Sequence, residues 1–165
     1  AADWPTRLSI MEQVCDGLSF AHSKGVVHRD IKPANIFLEN SGRVRVLDFG
    51  MARVSASTLT RAGSAVGTLN YMAPEQIRSS GEVDRRADIY AVGVLLYEML
   101  TGQLPFLAEN PGAMMLAHLQ TIPADPRTLI PGLPDRAALA ILAALEKDPA
   151  CRPFTAGQLV AELYS

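Results

Sequence analysis

Two cysteines, a single tryptophan and no long apolar run are the first things this 165-residue sequence lacks. Cys15 and Cys151 are far apart and form no C-x-x-C pair, so both are expected to be reduced, buried thiols in a cytoplasmic protein. Basic residues do not dominate either: 15 Lys and Arg against 17 Asp and Glu give a net charge of -2, and no basic stripe points to nucleic acid. The longest apolar stretch, Ile89 to Tyr97, is about half of a bilayer span and reads as buried helix, so no membrane segment is expected. Ala1-Ala2-Asp3-Trp4-Pro5 has neither the basic start nor the apolar core of a signal peptide. No repeat, low-complexity tract or linker divides the chain. With 48% hydrophobic and 19% charged residues, what remains is an ordinary globular sequence long enough to bury a core.

Periodicity predicts a mainly helical domain. Leu8, Met11, Cys15, Leu18 and His22 recur at helical spacing, and Gly25 stands where a helix ends on glycine. Ile36-Phe37-Leu38 reads as a short buried strand, Asn40-Ser41-Gly42 as a turn and Val44-Arg45-Val46-Leu47 as the returning strand. Residues 51–70, rich in Ser, Thr, Gly and Ala, have no clear period and read as a loop. Asp88 to Leu100, apolar nearly all round and closed by Gly102, predicts a buried central helix. Met114 to Gln120, Asp135 to Leu145 and Thr155 to Leu163 predict three more, separated by Pro-rich stretches at 123–134 and 149–153.

The chemistry lies around the hairpin. Asn35 and Asp48 flank its open end, so an amide oxygen and a carboxylate can converge on a hard cation such as Mg²⁺. Asp30, just upstream, is placed to accept or orient a hydroxyl proton, and Lys32 to offset negative charge on a group in transfer. Isolated Asp and Asn residues usually serve turns and caps; four polar groups gathered at one hairpin favour function.

His28-Arg29-Asp30-Ile31-Lys32-Pro33-Ala34-Asn35 and Asp48-Phe49-Gly50 resemble the catalytic loop H-R-D-x-K-x-x-N and the metal-binding D-F-G of protein kinases. Lys32 matches the Ser/Thr branch. Gly67-Thr68, Tyr71-Met72-Ala73-Pro74-Glu75, the stretch from Asp84 to Gly93, and Arg152-Pro153 follow in the family's order, so the resemblance spans nearly the whole chain. It implies the large, C-terminal lobe of a kinase domain over 1–165: catalytic loop 28–35, metal motif 48–50, activation segment 48–75 and a helical bundle over 84–165. Met72-Ala73-Pro74-Glu75-Gln76 and the compact layout are similar to the eukaryotic-like Ser/Thr kinases of bacteria.

The resemblance also implies roles. Asp30 acts on the hydroxyl of a protein substrate, Lys32 contacts the moving phosphate, Asn35 and Asp48 hold Mg²⁺, Thr68 buttresses Asp30 and Lys32, and Phe37 lies beneath the adenine of ATP. A phosphate on Thr60 or Ser64 would be gripped by Arg29, with Ser55, Ser57 and Thr58 as further acceptors. His28, Phe49, Asp88 and a Glu75–Arg152 ion pair are structural, and His22 and His118 carry no ligand pattern. No G-x-G-x-x-G, strand Lys or partnering helix Glu is found in the sequence, so the small lobe is expected to be a missing partner. A parent protein could be membrane-anchored outside this stretch. Two other classes stay open: a non-catalytic binding module built on a kinase lobe, and an unrelated Mg²⁺-dependent hydrolase, which leaves Glu75, Asp88 and Arg152 unexplained. If a small lobe normally covers one face, the chain alone is expected to self-associate; a clean monomer with a cooperative melt in sedimentation and calorimetry would count against that.

Overall fold

Asp3 starts the first helix by accepting the Thr6 amide at 3.0 Å, and with Pro5 in its first turn α1 runs Trp4–Ser23. The computed structural model describes residues 3–49, 65–78 and 83–164. Leu8, Met11, Val14, Cys15 and Leu18 form the buried stripe of α1. The helix stops at a glycine motif in which the Val26 amide bonds the Ala21 carbonyl at 2.9 Å and the Gly25 amide bonds the His22 carbonyl at 3.0 Å. Gly25 adopts φ 74, a left-handed angle that glycine takes without steric cost. The chain then enters the 28–35 loop directly.

A hairpin follows, as the turn residues predict. β1 (Ile36–Leu38) pairs antiparallel with β2 (Val44–Val46) in the register Ile36↔Val46, Phe37↔Arg45, Leu38↔Val44. Gln13 of α1 clips it down: its Nε2 donates to the Gly42 carbonyl at 3.2 Å and its Oε1 accepts the Val44 amide at 3.0 Å. The expectation of a buried first strand is corrected, because Phe37 and Leu38 are exposed. β2 packs on α1 and leaves β1 as the outer edge.

Six helices complete the described fold: α2 (Ala65–Leu69), α3 (Pro74–Arg78), α4 (Arg86–Thr101), α5 (Pro111–Gln120), α6 (Asp135–Ala144) and α7 (Ala156–Tyr164). α2 corrects the reading of 51–70 as loop throughout; residues 51–64 lie outside the described ones. Neither α2 nor α3 is long enough to show a period in sequence. α5 begins earlier than its apolar pattern suggested because Asn110 caps it, accepting the Ala113 amide at 2.9 Å, and Pro111 fits the first turn. The two cysteines part company. Cys15 is buried, and burial with nearby Asp16 and Glu12 pushes its thiol up to about 12. Cys151, in a surface 3₁₀ turn at Pro149–Cys151, is exposed, which corrects the expectation that both are buried.

α4 is the post around which the rest is arranged. Twelve of its residues are buried, from Ala87 to Leu100, and it ends on Gly102 at φ 76. Its Gly93 lets α6 approach: a methyl there would stand 2.8 Å from the Ala144 Cβ and 3.3 Å from Leu145. A helical glycine costs about 1 kcal/mol relative to alanine, while forcing a methyl into a packed core costs about 1–3 kcal/mol, so the close approach decides the residue. No described helix is long and apolar enough to cross a membrane.

One polar group is embedded in this core without full satisfaction. His118 of α5 is fully buried, its Nδ1 meets the Tyr90 hydroxyl at 2.8 Å, and Phe106 packs edge-on at 5.1 Å. The Nε2 atom has no hydrogen-bond partner among the described residues. Burial first, and then the Lys147 ammonium, hold the imidazole down at about 4, while the carbonyls of Asn70 and Leu69 pull weakly the other way. A histidine whose folded value lies below its unfolded value stabilises the fold above about pH 6.5, and that contribution fades as pH falls through about 4. Urea unfolding should therefore show roughly 2–3 kcal/mol lost between pH 6.5 and 4 on account of this residue, and His118→Asn should flatten that limb; an equal acid slope in the variant would refute the assignment.

Candidate active site

The loop between α1 and β1 is built on a buried carboxylate. Asp88, in the first turn of α4 and with no exposed surface, accepts the His28 amide at 2.9 Å on Oδ2 and the Arg29 amide at 2.8 Å on Oδ1. His22, at the end of α1, adds its Nε2 to Oδ2 at 2.7 Å. Arg29 sits at φ 71, a left-handed angle that a Cβ disfavours, and the Asp88 bond holds it there. The sequence marked Asp88 as structural but left His22 without a role; a contact across 66 residues gives no local signal.

His28 is packed, as expected, and its two nitrogens are both engaged. Nε2 lies 2.6 Å from the Leu47 carbonyl, and Nδ1 accepts the Asp30 amide at 3.1 Å. A carbonyl only accepts and an amide only donates, so these bonds fit the tautomer with its proton on Nε2, leaving neither nitrogen for proton transfer. Phe49 closes on the ring edge-on at 4.6 Å.

Asp30, Lys32, Asn35 and Thr68 come together in one hydrogen-bonded group. The Asp30 carboxylate receives Asn35 Nδ2 at 3.2 Å and lies 3.3 Å from the Lys32 ammonium. Lys32 donates to the Thr68 hydroxyl at 2.7 Å, and Asn35 Nδ2 also reaches the Asp30 carbonyl at 2.7 Å. Asn35 is buried, and with its Nδ2 hydrogens spent on Asp30 its side-chain oxygen Oδ1 is the atom left to accept or ligate. The Leu47 amide bonds the Asn35 backbone carbonyl at 2.8 Å, and the next residue, Asp48, is exposed and adopts φ 57. Gly50, Thr60 and Ser64 lie outside the described residues. Phe37, on β1, is 54% exposed.

The segment after Thr68 is anchored at both ends. Tyr71, largely buried, donates to the Glu98 carboxylate of α4, and burial and that carboxylate push the phenol well above its ordinary value. Glu75 takes a bidentate grip from Arg152, Nη1 to Oε1 and Nη2 to Oε2, both at 2.8 Å. The remaining Arg152 hydrogens go to the carbonyls of Glu146 at 2.7 Å, Arg86 at 2.9 Å and Lys147 at 3.1 Å, so all five donors are used. The Arg152 side chain is completely buried, and its guanidinium lies 4.9 Å from the Tyr90 ring centre. Breaking such a pair strands a buried charge, so Arg152→Met is expected to cost about 3–5 kcal/mol. Adding Glu75→Leu should recover part of it. Denaturant midpoints of the two variants test this; a double variant no more stable than Arg152→Met would show that the lost carbonyl bonds, not the stranded carboxylate, dominate.

A model of the protein kinase domain matches residues 4–164. The chain is 43% identical over 162 residues to a probable serine/threonine-protein kinase of Corynebacterium efficiens, covering 94% of this chain and 24% of that protein. It is 47% identical over 148 residues to the serine/threonine-protein kinase Pkn1 of Myxococcus xanthus, with 86% and 21% covered. To the serine/threonine-protein kinase PknB of Mycobacterium tuberculosis it is 37% identical over 159 residues, with 94% and 25% covered. The chain thus spans about a quarter of the length of these relatives. With the family model covering nearly every residue, and a helical bundle carrying one hairpin at the loop 28–35, this chain belongs to the protein kinase family, as a large-lobe unit of the bacterial, eukaryotic-like Ser/Thr type.

Proposed function

We propose that the protein to which this lobe contributes transfers the γ-phosphoryl group of ATP to Ser or Thr hydroxyls of protein substrates. The observation that carries the reading is the bonded group Asp30–Lys32–Asn35–Thr68, which holds a carboxylate and an ammonium 3.3 Å apart at the end of the hairpin whose return strand leads to the exposed Asp48. Asp30 orients the acceptor hydroxyl and takes its proton. Lys32, kept in place by Thr68, offsets charge on the transferring oxygens. Asn35 and Asp48 supply oxygens of the hard, neutral and anionic kinds that Mg²⁺ prefers. Bound with ATP, that ion would neutralise phosphate charge. The exposed Phe37 ring is available to lie against the adenine.

Arg29 carries the regulatory proposal: a phosphate on Thr60 or Ser64 would find in it a bidentate partner. We place the chemistry in the cytoplasm, where thiols stay reduced; Cys15 and Cys151 are both free.

The chain by itself should be nearly inactive, because positioning supplies most of the catalysis and the sequence holds no glycine-rich phosphate loop or strand lysine. Measured as ³²P transfer from Mg·ATP to a Ser/Thr peptide, the intact protein is expected to be active and to lose at least about a hundredfold in Asp48→Asn. The chain alone should reach about 1% of the intact rate or less. ATP binding without transfer by the intact protein would favour a non-catalytic binding module. Robust transfer by the isolated chain would refute the need for a small lobe.

A further inference from the structure

Gln76 joins the two segments of the site through one side-chain amide. Its Oε1 accepts the Ala73 amide at 3.0 Å, and its Nε2 donates to the Arg29 carbonyl at 2.9 Å. Helix capping explains the first bond: α3 begins at Pro74, Ala73 is the residue before it, and a glutamine three positions on commonly reaches back to that amide. Capping uses only the oxygen. The bond from the nitrogen needs another explanation.

The Arg29 carbonyl and the Asp30 amide belong to the same planar peptide unit. Gln76 holds one edge of that plane and His28 Nδ1, at 3.1 Å from the Asp30 nitrogen, holds the other. The preceding plane is fixed through the Arg29 amide on Asp88. Between them Arg29 keeps φ 71, from which an unrestrained arginine would relax. The orientation of Asp30 therefore depends on a residue of α3, and α3 continues the segment anchored by Tyr71 and Glu75.

We propose that Gln76 is a positioning residue for phosphoryl transfer: its amide fixes the peptide plane that carries Asp30 and locks that carboxylate to the segment 68–75 beside it. The role rests on the phosphoryl-transfer reading of Asp30. It differs from capping in needing a donor.

Gln76→Glu separates the two bonds. Glutamate keeps the capping acceptor and its charge suits a helix start, whereas an ionised carboxylate has nothing to donate to the Arg29 carbonyl. In the intact protein at neutral pH, kcat toward a Ser/Thr peptide is expected to fall roughly ten- to a hundredfold, with the KM for ATP unchanged. In this chain, the Asp30 amide followed by NMR should exchange about tenfold faster in the variant while the Ala73 amide stays protected. Gln76→Leu, which removes both bonds, serves if the glutamate variant fails to fold, and should lose kcat and the Ala73 protection together. A variant with kcat within twofold of the parent and unchanged Asp30 exchange overturns the proposal. Should the unsubstituted intact protein transfer no phosphate to any peptide, the phosphoryl-transfer reading fails first and takes the positioning role with it; an active parent with an unaffected variant removes Gln76 alone.

Discussion

Everything at the site hangs from the carboxylate of Asp88. Placing a charged group where no water reaches it is expensive unless donors replace the solvent, and here the replacements are the amides of His28 and Arg29 and the imidazole of His22. Those same donors are what the loop needs to hold still. The desolvated carboxylate and the strained loop therefore stabilise each other: without the loop amides Asp88 would be stranded, and without Asp88 Arg29 would lose one of the two bonds that keep it at φ 71. Because Asp88 lies in the first turn of the most buried of the described helices, the loop inherits the rigidity of the core and not that of the surface it faces.

The distribution of strain follows the same logic. The only described non-glycine residues at positive φ are Arg29 and Asp48, one on each side of the group Asp30–Lys32–Asn35. Such angles cost of order 1–3 kcal/mol each and persist only where the surroundings over-determine them. Arg29 is held by Asp88 and by Gln76. Asp48 follows the Leu47–Asn35 bond that closes the open end of the hairpin, and precedes Phe49, which is packed on His28. Strain therefore flanks the Asp30–Asn35 contact on both sides, at Arg29 before it and at Asp48 beyond the hairpin.

What the sequence made legible was mostly what is encoded locally. The turn at 40–42, the stop of α1 at Gly25 and the all-apolar run of α4 each have a short-range signature, and each was realised in place. Glu75 and Arg152 were paired only through the family's motif order, since their 77-residue separation carries no periodic signal. Contacts without either kind of signature were missed. His22 on Asp88, Gln76 on Arg29 and His118 on Tyr90 each join elements far apart in sequence through a single side chain. Exposure misled in two places for one reason: Phe37 and Cys151 look like core residues by type, but β1 is an outer edge and the 149–151 turn lies on the surface. Residue type sets the preference to be buried; topology decides whether a neighbour is there to do it.

α4 shows how one helix can set the positions of several other elements at once. Along its length Asp88 holds the loop 28–35, Tyr90 meets His118 and faces Arg152, Gly93 admits α6, and Glu98 receives Tyr71. Helical geometry spreads these positions around the axis, so the contacts leave in different directions and reach different elements. A shift of the helix by even a fraction of a turn would disturb the loop that carries Asp30 and the segment that follows Thr68 at once. Dense packing makes such a shift discrete, because interiors close-packed on every side do not deform gradually. The relative placement of the loop that carries Asp30 and the segment after Thr68 is thus a property of the core, and substitutions that loosen α4 should act on both together even where they lie far from Asp30.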